Sequence, residues 1–70
     1  MQTLVFNTST KSVKLYEGKE EQSDILYQFT NVPTVKIEEG YYQVMQRDAM
    51  EKQLPVLRVP IANTNMLIKE

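Results

Sequence analysis

The sequence predicts a small all-β protein, and three observations lead to this class. Apolar residues alternate with other residues along most of the chain, as at Val13 and Leu15 or at Val35 and Ile37. Side chains of an extended strand point to opposite faces in turn, so this spacing is typical of half-buried strands. The segments between the alternating runs are short and rich in turn-forming residues. The length of 70 residues is enough for one domain, 1–70.

The number of strands and the short connections between them narrow the architecture. Short connections favour antiparallel neighbours, and a lone sheet of this size would leave one face wet. We therefore expect a small antiparallel β-barrel or a compact two-layer β-sandwich of six to seven short strands, with the barrel slightly preferred. The predicted strands are 2–6, 11–17, 24–30, 34–38, 41–47, 54–61 and 66–69.

The first three strands are bounded by polar segments. Residues 7–10 (Asn-Thr-Ser-Thr) predict a hairpin, because such side chains bond nearby backbone groups in turns. Residues 17–23 are charged and predict a solvated loop. Pro33 ends the third strand, since proline lacks a ladder donor and restricts the residue before it.

The later connections contain the two clearest local signals. Residues 38–40 suit a type I turn followed by Gly40 in the left-handed region, which joins two strands in a hairpin. Asp48 and Glu51 have the spacing of a capping box, so at most one helical turn is expected over 48–52. Pro55 and Pro60 predict that the sixth strand lies at a sheet edge or a barrel corner.

The composition excludes several classes of function. Apolar residues make up 41% and charged residues 24%, which argues against intrinsic disorder. There is no cysteine, so disulfides and thiolate metal sites are excluded, and there is no histidine to act as a general base near neutral pH. The two glycines cannot form a phosphate-binding loop or a dinucleotide fingerprint. We therefore expect no enzyme activity, no cofactor and no metal site.

An acidic loop was the only candidate for ion binding. Glu20, Glu21 and Asp24 supply oxygen ligands, but they lack the spacing of a calcium loop, and a solvated loop explains them better. The chain also lacks the basic start and long apolar stretch of a secretory signal, and it has no run of roughly 18 apolar residues. A cytoplasmic location is expected, or a location within a virion if the protein is encoded by a virus.

The opposite face of the strands supplies the best functional clue. In a sheet packed on one side only, the positions between the main apolar residues should be polar, yet several here are apolar. Isolated apolar residues on a surface are normal, and small barrels bury parts of both faces. Contiguous exposed apolar patches, however, mark interaction sites. The candidate protein-interaction residues are Val5, Tyr16, Leu26, Tyr41, Met45, Val56 and Leu67.

Two functional hypotheses follow. The first is a non-enzymatic interaction or structural module that self-associates or docks on a larger assembly. Such a module would suit an accessory subunit, a component of a viral or phage particle, or a small inhibitor. The alternative is a small β-barrel that binds single-stranded nucleic acid through exposed tyrosines and basic residues. The net charge of −1 disfavours this alternative, because backbone binding needs a clustered positive groove. Its candidate residues are Lys14, Tyr16, Lys36, Tyr41, Arg47 and Arg58.

Overall fold

A computed structural model describes all 70 residues and confirms the all-β class. It contains seven strands and one short 3-10 helix, Ile61–Asn63. The strands are β1 (Gln2–Asn7), β2 (Ser12–Tyr16), β3 (Ile25–Phe29), β4 (Thr34–Glu38), β5 (Tyr41–Arg47), β6 (Gln53–Pro60) and β7 (Thr64–Lys69).

The strands form two sheets that are not closed into a barrel, so the barrel preference was wrong and the two-layer alternative is correct. Sheet A has four strands in the order β3-β2-β1-β7, and sheet B has three in the order β4-β5-β6. The expectation of purely antiparallel pairing was also wrong, because β7 runs parallel to β1, from Gln2 opposite Thr64 to Asn7 opposite Lys69. A parallel neighbour needs a long connection, and here strands β2 to β6, including all of sheet B, lie between β1 and β7 in the chain.

One hydrophobic cluster lies between the two sheets. Leu4, Val13 and Leu15 of sheet A meet Val44 and Val59 of sheet B, and each of these side chains is buried. Val32, in the connection between the sheets, completes the cluster and is fully buried. Its backbone N–H donates to the Lys11 carbonyl (2.8 Å), which fixes the connection against the first hairpin. The alternation therefore predicts the core residues that lie on strands, but it misses Val32 and includes four exposed residues: Ile25, Tyr27, Ile37 and Ile68.

The predicted hairpins form, with one change of turn type. In the first hairpin, the Asn7 side chain accepts hydrogen bonds from the N–H groups of Ser9 and Thr10, each at 3.0 Å. In the second, Glu38 pairs with Tyr41, so the loop has two residues rather than three. Glu39 (φ 51°) and Gly40 (φ 84°) are both left-handed, which indicates a type I′ turn rather than the expected type I turn.

No helical turn forms over 48–52. The Asp48 carboxylate accepts the N–H groups of Met50 (2.8 Å) and Lys52 (2.9 Å), as a cap would. Glu51, however, has a left-handed backbone (φ 61°), so the chain turns into β6 instead of continuing as a helix. The short helix lies at Ile61–Asn63 instead, where a plain turn was expected.

Candidate interaction surface

Strand β3 is an unpaired edge of sheet A. It pairs with β2 on one side and has no neighbour on the other. An edge strand presents backbone N–H and C=O groups that another chain can pair with, so proteins usually protect such edges. Its sequence, Ile-Leu-Tyr-Gln-Phe, contains neither a charged residue nor a proline.

The other three edge strands are protected. Strand β4 contains Lys36 and Glu38, which flank the exposed Ile37. Strand β6 contains Pro55 and Pro60 together with an arginine. Strand β7 ends in a lysine that follows its exposed isoleucine. Charged side chains and prolines on an edge disfavour strand addition. Strand β3 is therefore the single edge strand that contains neither a charged residue nor a proline.

A β-bulge in β3 determines which way its apolar side chains point. Leu15 pairs with Tyr27, whereas the next residue of β2, Tyr16, pairs with Ile25, so Leu26 is an extra residue. Paired residues share a face of the sheet. Tyr27 therefore lies on the core face of sheet A, and Ile25 lies on its outer face. The bulge thus distributes apolar side chains over both faces of the edge.

The apolar side chains of β3 are well exposed. Ile25 is 45% exposed, Leu26 44% and Tyr27 53%, and they are consecutive in the chain. The Tyr27 ring stacks on that of Phe29, with ring centroids 6.4 Å apart and an interplanar angle of 8°. Phe29 packs in turn against the shared core. Tyr27 is therefore held in place by a neighbour that is itself anchored.

The two ends of β3 differ in charge. The loop that precedes it, residues 17–24, has four acidic residues and one lysine. At the other end, Asn31 donates from its side-chain amide to the Arg47 carbonyl (3.0 Å), and Val32 donates to the Lys11 carbonyl (2.8 Å). The segment that follows β3, residues 30–34, has no charged residue of its own, so the edge runs from an acidic end to an uncharged end.

Three of the seven predicted protein-interaction residues are not available to a partner. Val5, Tyr16 and Met45 are buried within the chain, which corrects the expectation of an exposed apolar outer face at these positions. Val5 and Tyr16 lie beneath the loop 17–24, which folds back over the outer face of sheet A. Met45 lies against Gln43, whose side-chain amide approaches its sulfur at 3.5 Å.

The remaining four predicted residues divide into two groups. Val56 and Leu67 are half-buried. Val56 is the extra residue of a second bulge, since Val44 pairs with Leu57 and the next residue, Met45, pairs with Pro55. Val56 consequently packs on the core, which corrects its expected outward position. Only Leu26 and Tyr41 are exposed as expected.

Ile25 and Tyr27 belong to the candidate surface but were assigned to the core by their alternation. The bulge turns Ile25 to the outer face of sheet A. Tyr27 stays on the core face, but sheet B has one strand fewer than sheet A, and Tyr27 remains 53% exposed. A bulge has no reliable signal in a single sequence. The absence of charge and proline in Ile25–Phe29 was, however, readable, and it would have singled out this strand.

The six candidate nucleic-acid residues do not form one surface. Lys14 and Tyr16 are on the outer face of sheet A, where the tyrosine is buried. Lys36 and Arg58 flank Gln43 in one cross-strand row on the outer face of sheet B. The Arg58 guanidinium lies over the Tyr41 ring, 4.6 Å from its centroid, so that ring is already occupied. The sixth residue, Arg47, is at the far end of β5.

A polar concavity of about 520 Å³ lies between the outer face of sheet A and the loop 17–24. Two lysines, Lys14 and Lys69, and two glutamates, Glu20 and Glu21, line it together with hydroxyl and amide side chains. Lys69 forms an ion pair with Glu20, and this hydrogen bond raises the pKa of Lys69 above its usual 10.5. The charges of the concavity balance one another, so it has no net preference for a charged ligand.

Acidic side chains are not gathered into a metal-binding group. No set of three or more carboxylates lies close enough together to hold a metal ion. The structure also contains no helix long and apolar enough to cross a lipid bilayer. Comparison of the chain with protein-family models, with curated proteins and with solved structures found no match.

Proposed function

We propose that the protein is a non-enzymatic structural module that associates with a protein chain through the edge of β3. The observation that carries this proposal is the one edge strand without a charged residue or a proline, where three consecutive apolar residues are each about half exposed. Exposed apolar residues on an unpaired strand are the features by which a sheet accepts an additional strand. An accessory role in a larger assembly, in the cytoplasm or in a virus particle, fits such a module.

Strand addition draws on both the backbone and the side chains. Burying the exposed parts of Ile25, Leu26 and Tyr27 would contribute roughly 2–4 kcal/mol from this chain, and the partner surface buried against them adds a comparable amount. Association costs at least about 4 kcal/mol in lost translational and rotational freedom, and ordering of side chains adds to this cost. The apolar contacts therefore leave a small surplus, which backbone hydrogen bonds from a paired strand increase. This favours an extended partner segment over a flat apolar surface.

The proposal is tested by fluorescence-detected sedimentation of the chain labelled at its N terminus. The label is placed there because Met1 is exposed and far from β3 in sequence. Samples are run in buffer, over micromolar to millimolar concentrations, and in extract of the native host. We expect the wild-type chain to sediment faster than an 8.2 kDa monomer in at least one of the two media.

Two matched variants locate the surface. Tyr27→Lys places a charge on the β3 edge and is expected to return the chain to the sedimentation of a monomer. Ile37→Lys replaces a side chain that is 68% exposed on an edge already flanked by charges, and it is expected to behave as wild type. Circular dichroism checks that both variants fold. A wild-type monomer in both media, or association that survives Tyr27→Lys, contradicts the proposal.

A further inference from the structure

We propose that the occupant of the β3 edge is a second copy of this chain, paired antiparallel about a two-fold axis through Gln28. This inference rests on the proposed function and names the partner of the same surface. Two four-stranded sheets would then join into one sheet of eight strands, with β3 beside β3 at its centre. Three observations support the pairing: the regular part of the strand, the acidic loop at one of its ends and the protection of every other edge.

The bulge determines the register. Leu26 interrupts the alternation, so Tyr27, Gln28 and Phe29 are the regular part of β3. Centring the axis on Gln28 places Tyr27 of each copy opposite Phe29 of the other. Because Tyr27 and Phe29 already stack within one copy, pairing brings four rings together on one face. If the axis passed through Tyr27 instead, Ile25 of each copy would lie opposite Phe29 of the other copy, although these two side chains lie on different faces of the sheet.

The charges favour antiparallel pairing over parallel pairing. In an antiparallel pair, the acidic loop before each strand lies beside the uncharged end of the other strand. A parallel pair would instead place the two acidic loops side by side, and like charges in that position repel. Antiparallel pairing therefore keeps the two acidic loops apart.

The protection of the other edges limits the assembly to two copies. A two-fold interface uses the same surface on both partners and closes on itself. After pairing, the free edges of the joined sheet are the two β7 strands, and those of each sheet B are β4 and β6. All of these contain charged residues or prolines, so further strand addition is disfavoured. The pairing therefore produces a dimer rather than a fibre.

Cysteine cross-linking tests the register, because the chain has no cysteine of its own. Gln28→Cys places one thiol on the axis, where directly opposed strand residues are within disulfide range. Asn65→Cys is the matched control, since Asn65 is exposed on the other edge strand of the same sheet. Under mild oxidation we expect Gln28→Cys to become mostly disulfide-linked dimer and Asn65→Cys to remain mostly monomer. Equal cross-linking of the two variants, or none at position 28, overturns the proposed register.

A charge reversal tests the orientation. In the antiparallel pair the two copies of Asp24 lie at opposite ends of the joined strands, so Asp24→Lys is expected to change the dimer dissociation constant by less than about twofold. In a parallel pair the same change would relieve repulsion between neighbouring acidic loops and tighten the dimer by roughly two- to fivefold. Sedimentation in buffer measures the constant, and such a tightening overturns antiparallel pairing.

Failure of this inference is distinguishable from failure of the proposed function. If the wild-type chain sediments as a monomer in buffer but associates in host extract, and Tyr27→Lys abolishes that association, the edge binds a different protein. The proposed function then stands and the second copy is excluded. A monomer in both media overturns both proposals.

Discussion

Gly40 is the residue whose conformation most clearly requires its type. Its φ of 84° is one that side-chain-bearing residues rarely adopt, while an added Cβ would meet nothing within 4 Å. The cost of substitution therefore comes from the backbone alone. We expect Gly40→Ala to lower the free energy of unfolding by about 1 kcal/mol, measured as a lower urea midpoint with an unchanged slope.

Gly18→Ala is the control for this prediction. Gly18 does not have a positive φ, and a Cβ there would be 3.5 Å from the Ser23 Cβ, an ordinary contact. Its urea midpoint is expected to stay at or slightly above that of the wild type. An equal loss of stability at positions 18 and 40 would show that the left-handed conformation of Gly40 does not determine the cost.

Single residues also show why the candidate surface could be predicted only in part from the sequence. Leu26 was predicted to face a partner and it is exposed, but Ile25 and Tyr27 were assigned to the core because they keep an even spacing with Phe29. Spacing predicts a face only while the strand is regular. The prediction for Tyr16 failed for a different reason: its parity was correct, but the loop that directly follows it, residues 17–24, folds back over the outer face of the sheet.

At the scale of elements, the loop 17–24 is closed on itself at its ends and attached to the sheet at its middle. The Glu17 N–H donates to the Asp24 carbonyl (2.9 Å), and the Ser23 hydroxyl accepts from the Gly18 N–H (2.9 Å). The ion pair of Glu20 with Lys69 adds a contact to β7 across the outer face. The loop is solvated as predicted, since none of its residues is buried, and this ion pair explains why it also covers part of sheet A.

The raised pKa of Lys69 predicts how the ion pair depends on pH. A lysine whose pKa is higher in the folded state stabilises the fold below its unfolded value of 10.5, and this contribution is lost as the pH rises through the folded pKa. We expect Glu20→Gln to lower the urea midpoint slightly at neutral pH and low salt. The difference from wild type should shrink in high salt and vanish above the pKa of Lys69.

Glu38→Gln serves as the control, because it removes the same charge from an exposed site that has no ion pair. If Glu38→Gln shows the same pH and salt dependence as Glu20→Gln, net charge is responsible and the pairing with Lys69 is not.

Elements were predictable where a local signal exists. Both early hairpins were located by Asn7 and Gly40, whose side-chain bonding and backbone freedom act over a few residues. Asp48 bonds two backbone N–H groups as a cap does, but the left-handed Glu51 turns the segment into a loop, and nothing in the local sequence indicates that turn. The two bulges depend on pairing between strands, so no single strand reveals them.

At the scale of the whole molecule, the sheet order was beyond the reach of the sequence. The parallel pair joins the first strand to the last, and its contacts span almost the entire chain. The short connections correctly predicted that most neighbouring strands are antiparallel. They do not predict which strands distant in sequence pair with each other. The same reasoning could not decide between a barrel and two open sheets, because closure depends on those distant pairings.

This topology predicts slow folding in which β7 joins late. Pairing distant segments requires closing a long loop first, so all-β chains with such contacts fold in milliseconds to seconds. We expect Met66→Ala, in β7, chiefly to speed unfolding, and Val35→Ala, in the local hairpin of β4 and β5, to slow folding more. Stopped-flow folding and unfolding rates over a range of urea concentrations measure both. A Met66→Ala variant whose folding slows as much as that of Val35→Ala would place the β1–β7 pairing early.

The parallel pair also determines how the molecule responds to mechanical load. Because β1 starts and β7 stops at opposite ends of their shared ladder, tension applied to the two termini slides these strands past each other. All hydrogen bonds between them then resist together, whereas a hairpin pulled from its open end would come apart one bond at a time. The hydrogen bonds between β1 and β7 are thus the contacts that bear a load applied to the two termini.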